Sequence, residues 1–269
     1  MQGGLSDASI ETTALVKKII HLRDLERRYQ DAEFLIDELI AKDDVYGFYL
    51  KGMHYFLGLT GVANGKPQQP TPEEIGKGFS YLEKAMRLGS NEAKFFLAEE
   101  ELRQRNLPEG LKLLNELRDK GFARAHGFLA VFYGTGYGDP ALIDKKKMIS
   151  NIRSGILLRD IFSLQSVLSL SPPDQAKLFP FESYENISDL VPLMEAALAH
   201  EPKLNYWHNP APHAIPLFLA HYFTGRSPLG QRTQKIDREK ALKYGIASAR
   251  AGDAPAFASL GQAGDEPIA

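Results

Sequence analysis

Apolar residues recur along this chain at helical rather than strand spacing. Ile10, Leu15, Ile19, Leu22, Leu25 and Tyr29 follow one another by a turn or so, and Leu35, Ile36, Leu39 and Ile40 continue the stripe. That spacing predicts helix over residues 9–41. Ser6, Asp7 and Ser9 are candidate caps for its start. Lys17, Lys18, Arg23, Glu26, Arg27 and Arg28 are assigned to its solvated face.

From about residue 44 the pattern repeats. Lys77-Gly78, Tyr81, Ala85, Gly89, Ala93 and Leu97 align without a gap on Lys240-Ala241, Tyr244, Ser248, Gly252, Ala256 and Leu260. A third copy keeps the same offsets at Glu109-Gly110, Leu113, Leu117, Gly121, Ala125 and Leu129. Self-similarity at a fixed period marks stacked helical units. Tyr81, Leu113 and Tyr244 precede Ala85, Leu117 and Ser248 by four residues, so each pair shares one helix face, with room for a neighbouring backbone where the residue is small. Gly89, Gly121 and Gly252 stand where a helix should end in the left-handed conformation.

The helix before each of these segments is also visible. Lys51-Gly52-x-x-Tyr55-x-x-Gly58 precedes Glu74-x-x-Lys77-Gly78, and Leu129-Ala130 through Gly138 precedes Asp144-x-x-Lys147-Met148. Phe218-Leu219-x-x-Tyr222-x-x-Gly225 precedes Asp237-x-x-Lys240-Ala241. Here the chain resembles the Sel1-like repeat, L-G-x-x-Y-x-x-G-x-G-V followed by D-x-x-K-A-x-x-W-x-x-K-A-A-x-x-G. The likeness is good at 49–89, 125–155 and 214–261, weaker at 91–121, and covers about two thirds of the chain. Ala98, Ala130 and Leu219 replace the glycine of the L-G pair, and Arg103-Gln104-Arg105-Asn106 replaces the Gly-rich turn of the second unit.

The fold class expected is all-α, an α/α solenoid of Sel1-like (TPR-like) helix pairs. Residues 1–43 are assigned to capping helices, which open-ended stacks need, 44–158 to repeats, 159–212 to a degenerate repeat with inserted loops, and 213–269 to a last repeat and tail. Within the degenerate stretch the pattern predicts one helix over 158–170, a loop or short helix from Ser171, irregular chain at 180–184, and an apolar helix from Asp189 to His200.

Composition changes this picture little. The chain has 269 residues, 43% apolar and 25% charged, which is ordinary for a folded domain. A net charge of −2 argues against nucleic acid as a partner, because phosphate binding needs a basic surplus. With no cysteine, disulfides and thiolate chemistry are excluded. No run of about 18 apolar residues predicts a transmembrane segment, and no apolar leader precedes Lys17. The expected location is periplasmic where a leader has been replaced by Met1, and cytoplasmic otherwise.

Candidate chemistry is sparse. Gly134-Thr135-Gly136-Tyr137-Gly138 lacks the Lys-Ser/Thr of a phosphate loop and follows a helix, so it reads as a turn between repeat helices. His200, His208, His213 and His221 lack metal-ligand spacing. The acidic pairs Asp43-Asp44, Glu73-Glu74 and Glu99-Glu100-Glu101 read as capping residues or solvated faces. No catalytic residue, cofactor or metal site is assigned. The candidate protein-binding residues are Tyr206, the single tryptophan Trp207 and His208 in a turn-rich connector, together with Tyr137. The resemblance implies a protein partner, most concretely a secreted bacterial lipase or phospholipase toxin that the chain would block as an immunity protein. A general scaffold or adaptor is the alternative.

Overall fold

The structure, a computed structural model, describes residues 10–60, 67–200, 214–223 and 236–250. It divides into two compact units, Met1–Ala125 and His126–Ala269. The first holds α1 (Ile10–Ile20), a π turn (His21–Leu25), α2 (Tyr29–Ala41), α3 (Val45–Phe56), α4 (Pro72–Arg87), α5 (Asn91–Arg103), α6 (Leu107–Asp119) and the start of α7 (Ala123–Thr135). The second continues α7 through two short 3-10 turns into α8 (Lys145–Leu157), α9 (Ile161–Leu168), α10 (Pro172–Leu178), α11 (Val191–His200), α12 (Ala214–Phe223) and α13 (Arg238–Arg250). Among the described residues there is no strand, only an isolated bridge between Phe181 and Tyr184. The fold is an all-α solenoid of helix pairs.

One corner joins each pair to the next. Asp43, Gly89, Gly121 and Arg159 all take positive φ, at 54°, 99°, 73° and 59°. The amide of the following residue then donates to a carbonyl five positions back: Asp44 to Leu39 (3.0 Å), Ser90 to Ala85 (2.9 Å), Phe122 to Leu117 (3.0 Å) and Asp160 to Gly155 (2.8 Å). This closes the orphan carbonyls at the helix end. The same residue opens the next helix. The side chains of Asp44, Ser90 and Asp160 accept from the amides of Tyr46, Ala93 and Ser163, each such cap being worth about 1 kcal/mol. A corner in which one residue ends one helix and caps the next leaves no slack between pairs. It also explains why the helix predicted over 158–170 begins only at Ile161: Arg159 holds the left-handed position that Gly89 and Gly121 hold at their corners.

Within the α7–α8 and α12–α13 pairs a second bond joins the two helices. The amide of Asp144 donates to the Tyr133 carbonyl and that of Asp237 to the Phe223 carbonyl, both at 2.9 Å. Both aspartates also cap their helices, through the amides of Lys147 and Lys240. Lys147 Nζ lies 5.0 Å above the Tyr133 ring and Lys240 Nζ 4.8 Å above that of Phe223. Phe223 stacks on Tyr244 at 6.0 Å as Tyr55 stacks on Tyr81 at 5.8 Å. Phe223 therefore fills the aromatic position of the repeat. Ala220, not Leu219, stands at the glycine position, and Leu219 is a fully buried core residue.

The small residues lie where backbones touch. A Cβ on Gly52 would sit 2.6 Å from Leu82 and 3.0 Å from the Gly78 carbonyl, and one on Gly78 would sit 2.8 Å from Phe56. Gly110 meets Leu102 and the Ala98 carbonyl in the same way. In α7–α8 the sizes are exchanged: Met148 is the large member, and a Cβ on Gly134 would be 2.9 Å from its sulfur. Ala85, Leu117 and Ser248, predicted to face their neighbours, are fully buried. Gly252, Ala256, Leu260 and Gly261 lie outside the described residues.

One further expectation changes. Arg23, assigned to a solvated face, is buried and bonds Asp24 through two nitrogens at 2.7 and 3.1 Å. Over 158–200 the structure has the helices α9, α10 and α11 where the pattern placed helical segments, and they bury Leu164, Leu178 and Met194, with Leu190 of the 3-10 turn Ile187–Leu190, in the core of the second unit. Glu195 of α11 accepts from Tyr244 (2.8 Å) and pairs with Lys240 (2.9 Å), which ties α13 to α11.

Substitutions should separate the two kinds of position. Gly78→Ala should lower stability by about 1–3 kcal/mol through overpacking. Arg159→Gly should raise it by roughly 0.5–1 kcal/mol by relieving left-handed strain. Urea unfolding of the full chain measures both.

Candidate functional site

The first helices of the pairs in unit 1 carry an unusual set of ionisable groups. Tyr49 on α3 and Phe95 on α5 occupy the same repeat position, three residues before Gly52 and Ala98. Glu92 and Glu99 flank Phe95 on one stripe of α5, being seven residues apart and therefore about two turns. The Arg124 guanidinium lies 5.0 Å above the Phe95 ring, and that ring contacts Phe122 at 5.8 Å between centroids. Aromatic floor, guanidinium and two carboxylates thus converge from α5 and the start of α7.

Their protonation is set by burial. Both glutamates are partly buried, and loss of solvent pushes each carboxyl up to about 7. Opposing that, the amide of Glu92 itself, Arg124 and Ser90 hold Glu92 down, and Arg124 and Arg103 hold Glu99 down, without overcoming desolvation. The Tyr49 phenol is raised, first by desolvation; Arg124 and Arg23 oppose this, and Glu92 and Glu99 add to it.

Beside this set lies a second. Buried Lys51 of α3 is held by Glu33 and Asp37 of α2, at 2.8 Å each. Burial alone would depress its ammonium, but the hydrogen bonds to Asp37 and Glu33 raise it. One turn on, His54 is fully buried, and neither ring nitrogen has a side-chain hydrogen-bond partner. Desolvation pushes its imidazole down to about 4. Glu33 and a backbone hydrogen bond with Leu59 oppose this, while Arg23 and Lys51 reinforce it.

Of the residues singled out from sequence, Tyr137 sits in the 3-10 turn Gly136–Gly138 with φ +50° and stacks on Phe132 at 5.7 Å. Part of what it offered as a binding ring is thus committed to packing. Tyr206, Trp207 and His208 lie outside the described residues. The acidic pairs divide. Asp44 is a helix cap, and Glu74 completes a capping box with Thr71, as the sequence suggests. Glu99 is neither capping nor solvated. Among the described residues no group of three or more His, Asp or Glu side chains could hold a metal, and no helix is long and apolar enough to cross a membrane. Repeat register was the available signal for pairing Tyr49 with Phe95. The approach of Arg124 had no signal in sequence.

Known proteins resemble this geometry in fold. No family profile and no curated protein matches the sequence. Among solved structures, a Sel1 repeat protein from Oxalobacter formigenes superposes with a TM-score of 0.58 at 18% identity, over 92% of this chain and 89% of that one. The fold is that of Sel1-repeat proteins. A protective antigen of uropathogenic Escherichia coli with an SLR fold, c5321, gives 0.53 at 16% identity, over 96% of this chain and 49% of that one. This chain thus spans about half the length of the second Sel1-type structure.

Because both glutamates have raised folded pKa values, their contribution is fully present below pH 4.5 and is lost as pH rises through about 7. Glu92→Gln and Glu99→Gln should therefore raise the melting temperature at pH 8 and leave it nearly unchanged at pH 4.5. Thermal unfolding of the full chain at both pH values checks this.

Proposed function

We propose that this chain is a protein-binding repeat module, and most concretely an immunity protein that binds and occludes a secreted bacterial lipase or phospholipase toxin. The observation that carries the binding role is the set Tyr49, Glu92, Phe95, Glu99 and Arg124. A helix face needed only for folding would place apolar or neutral side chains there, because partly buried carboxylates pushed towards neutrality work against stability. Such groups are kept where something else uses them. An aromatic and guanidinium centre is also the residue mix that dominates protein interfaces. The toxin-blocking part of the reading rests on the likeness of the repeat to a family in which some bacterial members are immunity proteins, and a fold hosts many roles.

Coexpression with the product of the neighbouring gene tests it. An equimolar complex on size exclusion with light scattering, and loss of lipase activity on complex formation, are the expected results. Arg124→Glu should weaken that complex at least tenfold, about 1.4 kcal/mol, with secondary structure retained by circular dichroism. Capture of several unrelated proteins without inhibition would favour a general scaffold instead. Capture of none would end the binding reading.

A further inference from the structure

His54 lies on the buried side of α3, where that helix meets α2, and three observations fix its surroundings. Its side chain has no solvent exposure and neither nitrogen has a side-chain partner, the backbone of Leu59 being the one polar group that supports its charged form by hydrogen bonding. The charged groups that act on it are Arg23 from the π turn, Glu33 from α2 and Lys51 from α3 itself. Those charges are already engaged: Arg23 is bonded to Asp24, and Lys51 to both Glu33 and Asp37. An imidazolium formed here would meet two buried cations, and the one nearby carboxylate that attracts it is already shared with Lys51. A neutral imidazole is tolerated at this place, whereas a charged one has no water and only the Leu59 backbone to set against two buried cations.

The contact that would yield is local. Leu50 packs with Val16, Ile19, Ile36 and Leu39 of the first two helices, and a Cβ on Gly47 would stand 2.7 Å from Leu39. Further along the chain, α3 pairs with α4 through Gly52 and Gly78, which do not involve the imidazole. The repeat itself supplies the non-titrating alternative. His54 aligns with Phe132, which is fully buried in α7.

We propose that His54 is an acid-operated release, whose protonation sets a third buried positive charge beside Arg23 and Lys51 and frees the α1–α2 hairpin from α3. The physical sign agrees. A histidine whose folded pKa lies below its unfolded value favours the docked state above pH 6.5, and that support is lost as pH falls towards about 4. Neighbouring carboxylates also titrate on the acid side, so the test has to isolate the imidazole.

Hydrogen exchange of the full chain at pH 7.5 and pH 4, corrected for intrinsic rates, reads the release directly. In the wild-type chain, amides of α2 and the first half of α3 should lose more than tenfold of their protection at pH 4, while those of α5 and α6 change less than threefold. His54→Phe and His54→Asn should each hold the α2–α3 loss below threefold. Equal loss in variants and wild type would assign the effect to the carboxylates and overturn the proposal, as would uniform loss across the unit. A measurement on the wild-type chain alone guards against a misfolded variant. The protonation midpoint of His54 by NMR should coincide with the midpoint of protection loss, and a separation of more than one pH unit would refute the link.

Discussion

Everything in this fold depends on how tightly one helix can be turned into the next. At the four described corners between pairs a single left-handed residue lets the following amide reach back five positions, and at three of them the residue carrying that amide also caps the next helix. Both sets of orphan groups are satisfied within a few residues. The helix axes are thereby set close enough that a glycine or alanine is needed where they meet. At Gly52 and Gly78 the added methyl would meet its neighbour at under 3 Å. The Gly134–Met148 pair shows that total volume at the contact is what matters, since the large and small partners can trade places.

Close packing also explains the electrostatics. Side chains on the first helices of unit 1 have little water left to them, so charges there must find one another. Lys51 does so with two carboxylates. Glu92 and Glu99 both feel Arg124 and remain reluctant to ionise. His54 finds no side-chain partner, and burial favours its neutral form. The same desolvation therefore gives opposite pH trends within one unit: the glutamates favour the acidic side and the histidine the neutral side.

Much of the architecture was legible in the order of residues. The small and aromatic positions of α4, α6 and α13 repeat at fixed offsets, and helical spacing is a local property that sequence displays directly. The Asp-x-x-Lys starts were equally plain, because a cap is read within four residues. Register at α12 was not. Leu219 and Ala220 both suit a buried helix, and only the Asp237–Phe223 bond separates them. Arg159 as a corner residue was also hidden, since an arginine carries none of glycine's backbone signal and takes the left-handed position only because the surrounding helices demand it.

By itself, then, the sequence determined an all-α repeat, its hairpin units and the identity of most backbone contacts, because these follow from local periodicity and residue size. Tertiary structure alone decided which charges lose their water. Arg23 and Glu99 look like surface residues in the chain and are buried or half-buried in the fold, because segments distant in sequence close over them. Desolvation is a property of that closure, and so the ionisable face of α3 and α5 could be found only in three dimensions.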